Sequence, residues 1–402
     1  MNKQKYTMKL VFSDHPVPSS ITKSIFLAGP SPRDKNAIDW RHEAVSYLSS
    51  ASINYDGTIF IPVPEGRFHG TYHDSSTWTY DNQISWECEC RHVADLIVFW
   101  IPRYIDEGMA GFTTNVEFGE DIHSGKIVYG RPENAEKCRY LDTRMKELKL
   151  PVFTSLANTL HHAISLLGAG AYRSNGEVYV PLFIWKTQQF QSWYSNLKLA
   201  GNRLEKAKVL HHIKLNNSQQ VFSYILWSKI WIAAEKRYKE NEFVFARTDI
   251  STILAYYRDN NEDIKIALIK EFRSPVNNSN GFVYELPGGS SFKPNVDPQL
   301  TAKHELEEEC GITIDDMSRF KYVGQRQLAA TLSSHQAQLY TIELTKEEYE
   351  QMLENEKSNK TFGVSEDSER TYLKMISISQ LQDSFLDFSM LGMIYHALHW
   401  NK

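Results

Sequence analysis

The chain has 402 residues, 42% of them apolar and 23% charged, with a formal net charge of −5. At about 150 residues per domain this length predicts two or three domains, and the composition excludes a collagen, a coiled coil or a wholly disordered chain. The charge gives no global bias toward nucleic acid or an anionic membrane. Four cysteines, Cys88, Cys90, Cys138 and Cys310, are too few for a disulfide scaffold, so a reducing compartment is expected. Residues 1–20 carry Lys3, Lys5 and Lys9 but no apolar core, so no signal peptide is expected. The apolar runs, such as 96–102, fall far short of the ~18 residues of a membrane span. A cytoplasmic protein without membrane or nucleic-acid partners is the resulting expectation.

Residues 24–28 (SIFLA) predict a buried strand, followed by a turn at Gly29-Pro30-Ser31-Pro32. Asp39 is placed to cap a helix over 40–48. A second strand follows at 58–63, then a polar, aromatic loop over 65–80, long enough to be functional. Helical spacing covers 81–94. The continuous apolar run 95–101 (DLIVFWI) reads as a central parallel strand. A short helix over 115–123, a strand over 126–129 and a helix over 156–167, capped by Thr154 or Ser155, complete a doubly wound α/β domain ending near residue 168. Sites in such sheets lie beyond the carboxyl ends of the strands. The Gly29 turn, the long loop and the segment after Trp100 therefore fall on one rim.

Residues 168–176 (GAGAYRSNG) read as a linker. Residues 188–213 read as a helix whose aromatics form core, and 221–234 is open between strand and helix. Paired strands at 249–257 and 264–272 and a strand at 282–286 come next. A helix over 300–310 ends at Gly311, and a helix over 345–354 carries a Thr345/Glu348 capping box.

The candidate chemistry falls into two groups. Glu117 follows the Thr-rich segment 111–115 close to the end of the strand at 95–101, where a carboxylate can act as nucleophile or base. Glu87 and Asp95 add two acids. The pieces Ile25-Phe26-Leu27-Ala28-Gly29-Pro30, Trp86-Glu87, Ala94-Asp95 and Asn115-Val116-Glu117-Phe118-Gly119 resemble nucleoside 2-deoxyribosyltransferases over residues 22–168. The resemblance implies a flavodoxin-like parallel sheet and cleavage of an N-glycosidic bond. Glu117 would attack the anomeric carbon, and Glu87 and Asp95 would contact the sugar or base. Gly29, Ser31, Arg33, Thr113 and Thr114 would bind substrate, Arg33 by pairing with a phosphate. Phe26 stands where many members carry a tyrosine that orients the nucleophile.

The second group is His304-Glu305-Leu306-Glu307-Glu308-Glu309-Cys310-Gly311. Glu305, Glu308 and Glu309 share one helix face, where like charges repel unless a hard divalent cation joins them. With Glu285-Leu286-Pro287-Gly288-Gly289 ahead of it, this segment resembles the Nudix box over residues 216–402, and Glu271-Phe272-Arg273 is similar to the ADP-ribose pyrophosphatase branch. The resemblance implies an α/β/α sandwich, Mg²⁺ or Mn²⁺ on Glu305, Glu308 and Glu309, and substrate contacts from Arg273 and Glu285. His304 replaces the usual arginine, the Asn295-Val296-Asp297 region replaces an early glutamate, and the general base is unassigned, since the loop over 330–336 offers His335 but no carboxylate.

The resulting organisation is 1–168 as the glycosyl domain, 169–215 as linker and connecting helix, and 216–402 as the Nudix domain. The expected function is a bifunctional enzyme for a small nucleoside or nucleotide substrate, with homodimers or larger homo-oligomers implied by both resemblances. The alternative is a nucleotide sensor in which one domain binds without turnover.

Overall fold

Residues 24–28, 58–61 and 96–100 are apolar or small throughout, which suits strands covered on both faces. In the computed structural model all three are strands buried at every position. The structure describes residues 7–32, 39–71, 78–106, 108–215, 220–260, 263–291, 296–363, 369–383 and 385–399. The chain divides into two compact units, Met1–Val244 and Phe245–Lys402.

The strands of the first unit are β1 (Lys9–Phe12), β2 (Ser20–Ile21), β3 (Ser24–Ala28), β4 (Thr58–Ile61), β5 (Leu96–Trp100), β6 (Ile127–Gly130), β7 (Val152–Phe153), β8 (Arg173–Ser174), β9 (Arg203–Lys214), β10 (Val221–Ile232) and β11 (Arg237–Arg247, whose last residues cross the unit boundary). Its helices are α1 (Trp40–Ser49), α2 (Glu65–Phe68), α3 (Tyr80–Val93), α4 (Phe112–Asp121), α5 (Arg139–Glu147), α6 (Leu156–Leu167), α7 (Leu182–Trp185) and α8 (Gln188–Leu199). Six strands form one parallel sheet in the order β1-β4-β3-β5-β6-β7. Without the added edge strand β1, this is the flavodoxin-like order, whose switch point lies between β3 and β5. Side chains alternate across the sheet. Phe26, Phe60 and Phe99 pack under α3, α4 and α5, and Ile25, Ile59 and Val98 pack under α1 and α6.

Local signals match the caps. Asp39 accepts from Arg41 N at the start of α1, and Ser155 caps α6. Helix α4 starts three residues earlier than its apolar spacing suggests, because Gly111 adopts φ 63 and turns the chain directly into it. The long loop contains the short helix α2, while residues 72–77 lie outside the described set.

Residues 168–176 are not a free linker. Arg173 is fully buried, β8 pairs with β2, and a Cβ on Gly176 would lie 2.0 Å from Leu204 O. The small, polar composition that suggests flexibility serves close packing. The helix expected over 188–213 ends at Leu199, where Gly201 takes φ 74. Residues 203–214 instead pair antiparallel with β10, which also resolves 221–232 of the open segment as strand. Three long strands thus form the sheet β11-β10-β9. The aromatics of α8 are core as expected: Phe190 and Tyr194 are buried and stacked at 5.4 Å.

The second unit contains β12 (Ile250–Arg258), β13 (Ile264–Phe272), β14 (Phe282–Glu285), β15 (Gly288–Gly289), α9 (Pro298–Cys310), β16 (Lys321–Gln327), β17 (Gln336–Glu343), α10 (Lys346–Lys357), β18 (Thr371–Ser377) and α11 (Phe388–His399). Its mixed sheet runs β14-β13-β12-β17-β16, with β15 on β12 and β18 on β13. Ala302 and Leu306 of α9 and Met352 of α10 fill one core layer. Met393, Ile394 and Ala397 of α11 fill the other. The result is a mixed sheet with helices on both faces. Gly311 (φ 67) ends α9, and the Thr345/Glu348 box caps α10, both as the sequence predicts.

Among the described residues no helix is long and apolar enough to cross a membrane, and the four cysteines are free.

Candidate functional site

At the carboxyl edge of the first sheet, the turn after β3 and the start of α4 after β5 meet at the switch point. Gly29 is required there, since a Cβ would sit 2.1 Å from Trp100 O. Arg41, itself buried, ties the turn together. It donates to Leu27 O (3.0 Å), Gly29 O (2.7 Å), Ser31 Oγ (3.1 Å) and Asp39 Oδ2 (3.0 Å). The polar atoms of Gly29 and Ser31 therefore already serve the turn. Arg33 lies outside the described residues. On α4, Thr114 is buried and Thr113 exposed.

Glu117 projects from α4 and is 9% exposed. Glu87, on α3, hydrogen-bonds with it and also accepts from Gln83 Nε2 at 2.7 Å. Burial, then the charge of Glu87, pushes Glu117 up to about 7. Burial likewise raises Glu87. Two carboxyls in contact and out of water cannot both ionise freely, so the pair titrates as a unit. Arg91 lies one helical turn beyond Glu87. Its Nη2 donates to Glu120 at 2.8 Å and its Nη1 binds Asp121. Its buried Nε makes no hydrogen bond and stands 4.0 Å from Glu117 Oε1. The sequence reading overlooked Arg41 and Arg91. The i, i+4 spacing of Glu87 and Arg91 on one helix was the available signal.

Asp95 is not part of this group. It precedes β5, at the amino end of the sheet, and is fully buried in a two-bond ion pair with Arg173 (2.6 and 2.7 Å). It also accepts from Ser24 Oγ (3.1 Å) and Leu182 N (2.8 Å). The expectation that it contacts sugar or base is corrected: every oxygen is occupied, at the opposite end of the strand from Glu117. The spacing from Glu87 to Asp95 spans the end of α3, which carries the chain back across the sheet before β5 begins.

In the second unit, Glu271, Glu309 and Glu369 bring carboxylate oxygens within 4.8 Å of one another. Glu309 is buried and accepts from Gly288 N at 2.8 Å. Burial, then the charge of Glu305, raises it well above the ordinary range. Glu305 lies against Gly289, where a Cβ would meet its Oε1 at 2.3 Å. Burial and then Glu308 push Glu305 up to about 7. Glu308 is exposed on the same helix face. Burial also moves Glu271 to about 7. Its buried Oε2 makes no hydrogen bond, Arg273 Nη2 approaching at 2.7 Å outside hydrogen-bond geometry.

Arg273 also donates to Glu285 Oε2 from Nη2 (2.8 Å) and Nε (3.1 Å), so Arg273 and Glu285 are joined to each other as well as to this cluster. Sequence reasoning gave a role to Arg273 and none to Glu271, although the quoted segment Glu271-Phe272-Arg273 places them two residues apart at the end of β13. Glu369 carries no local signal, since the fold brings it from beyond α10. His335 pairs through Nδ1 with Ser333 Oγ, and burial followed by the charge of Arg247 lowers it to about 4.

Residues 22–135 match the family described as "Nucleoside 2-deoxyribosyltransferase like". No curated protein matches the chain. The matched stretch spans β3 through β6 and contains the Gly29 turn, Glu87, Arg91 and Glu117, and it does not reach the second unit. Residues 22–135 are therefore a nucleoside 2-deoxyribosyltransferase-like domain, which points to a nucleoside-processing function.

Proposed function

We propose that the first unit cleaves or exchanges the N-glycosidic bond of a nucleoside or nucleotide, with Glu117 as nucleophile and Glu87 as its acid partner. The observation that carries this reading is the buried Glu117–Glu87 pair at the switch point, inside the stretch similar to a deoxyribosyltransferase. An Oε of Glu117 attacks C1′, and the C1′–N bond breaks with its electron pair moving to the departing base. The base takes up the proton that the carboxyl pair holds. Water or a second base then attacks C1′, releasing Glu117 and returning a proton to the pair. Ionised Glu117 stabilises the oxocarbenium-like transition state, and Arg91, whose Nε stands 4.0 Å from Glu117 Oε1, favours the charged form of both carboxyls.

For the second unit we infer a Nudix-like hydrolase acting on a nucleoside diphosphate linked to another group. The helix-flanked mixed sheet and the converging glutamates support it. The chemistry of the donors fits a hard divalent cation: carboxylate oxygens only, three of them mutually close, one unbonded while buried. Glu271, Glu305, Glu309 and Glu369 would hold Mg²⁺ or Mn²⁺, with Glu308 at the rim. The ion would neutralise and orient the diphosphate. Glu309 fixes Gly288 N, which shapes the glycine turn against α9.

The test is product analysis by chromatography and mass spectrometry. Purified protein with Mg²⁺ meets nucleosides, nucleotides, NAD and ADP-ribose, alongside Glu117→Ala and Glu309→Ala. Free base lost only in Glu117→Ala and diphosphate cleavage lost only in Glu309→Ala are the expected outcomes. Binding without product in one unit would make that unit a sensor and overturn the two-activity reading.

A further inference from the structure

A cavity of about 410 Å³ opens at the amino end of the first parallel sheet, the end opposite Glu117. It is within the size range of small-molecule sites. Its floor is apolar, made by the starts of β5 and β6 (Leu96, Val128) together with Met145 and Leu182, all buried. Its polar lining is basic: Lys149, Lys186, Lys214, His123, His162 and His212. The one carboxylate in the lining, Asp95, is neutralised by Arg173. Two phenylalanines add ring faces. Phe153 packs on His162 (5.0 Å), and Phe183 carries His212 at 5.1 Å and Lys214 Nζ at 5.1 Å.

The arrangement holds cationic groups out of bulk water. Lys214 is half-buried, and burial lowers its pKa. Lys186 is partly engaged, donating to Leu167 O at 2.9 Å at the end of α6. Burial, and then Lys214, depresses His212 to about 4. Lysine side chains lining one cavity above an apolar floor give it a positive potential that attracts an anion. Three lysines exceed the single charge of a carboxylate and suit a phosphate monoester, which carries about −1.5 to −2 at pH 7.

We propose that this amino-edge cavity binds a small phosphate monoester with an apolar or aromatic body, at a site separate from the carboxyl-edge glutamates. The probe is phenyl phosphate, titrated calorimetrically in metal-free buffer, with benzyl alcohol and inorganic phosphate as the body and the charge alone. Phenyl phosphate should bind the wild type and Glu117→Gln alike, at least tenfold tighter than either control. Lys149→Glu and Lys214→Glu should each weaken it at least tenfold. Lys149 is exposed, so its variant keeps the test valid if Lys214→Glu fails to fold. In the wild type, phenyl phosphate should also slow acetylation of Lys149 and Lys186, read by peptide mass spectrometry, while Lys357 reacts unchanged. Equal affinity in the lysine variants, loss of binding in Glu117→Gln, or absence of protection would overturn the proposal.

Discussion

Both units bury glutamates, but they balance the charge differently. In the first, Arg91 and Arg41 stand beside the Glu117–Glu87 pair, and Arg91 is itself held by Glu120 and Asp121. In the second, the described residues place Arg273 at the edge of the cluster, already shared between Glu271 and Glu285. Glu305, Glu308, Glu309 and Glu369 are left with mutual repulsion. A carboxylate pair supplied with its own cations can hold one proton and do acid and nucleophile chemistry. A carboxylate cluster without them calls for a cation from solution. How far arginines offset the carboxylates thus separates the two proposed chemistries more sharply than the glutamates themselves.

The contrast can be broken first at Asp95, a buried acid that resembles the others in sequence alone. Asp95→Ala leaves Arg173 buried and unpaired, and should cost about 3–5 kcal/mol. Urea unfolding followed by circular dichroism reads it. A variant of wild-type stability that lacks activity would instead restore Asp95 to the catalytic group.

The next largest effect is on pH. Glu117, Glu271 and Glu305 lie near 7 in the folded protein, against about 4.3 for an unperturbed glutamate. As pH rises from about 4.5 to 7 the unfolded chain loses these protons first, so it binds fewer than the native state and stability falls. Between pH 5 and 7.5 the metal-free protein should lose on the order of 2–4 kcal/mol, discounted because Glu305 is partly exposed. Mg²⁺ should recover the part due to the second unit, whereas Glu305→Gln should reduce both the pH loss and the Mg²⁺ effect. Calorimetric melts with and without EDTA check this. An identical Mg²⁺ shift in Glu305→Gln would remove the cation from this cluster.

The smallest effect sharpens the first unit. Arg91→Lys keeps the charge but loses the fork that holds Glu120 and Asp121 while facing Glu117. Arg91 is a positioning residue in this scheme, and misorientation of the nucleophile should lower kcat about 10–100-fold with KM little changed. The acid limb of the pH profile should move upward, because a displaced cation favours ionised Glu117 less. An unchanged profile would leave Arg91 with a purely structural role.

Much of this was legible in the residues. The period and apolar density of 24–28, 58–61 and 96–100 announce buried parallel strands, and Gly311 marks a helix end with a conformation that other residues adopt only at a cost. Glu117 and the glutamate-rich face of α9 were identifiable because their signals are local. Where the reading failed, the cause was long-range. Residues 168–176 look like a linker by composition, yet Arg173 is drawn into the core by Asp95, 78 positions away. Residues 203–214 pass as helix until β10 offers them a register.

The sequence by itself determined the strand and helix alphabet of the sheet, the caps, and the residue types able to carry acid chemistry, since these follow from backbone sterics and the periodicity of burial. The tertiary structure alone decided which acids meet. It sent Asp95 to Arg173 and drew Glu87 and Arg91 to Glu117, and it collected Glu271 and Glu369 around Glu309. Ionisation depends on burial and on charges within a few ångströms, and those neighbours come from chain segments that no local pattern connects.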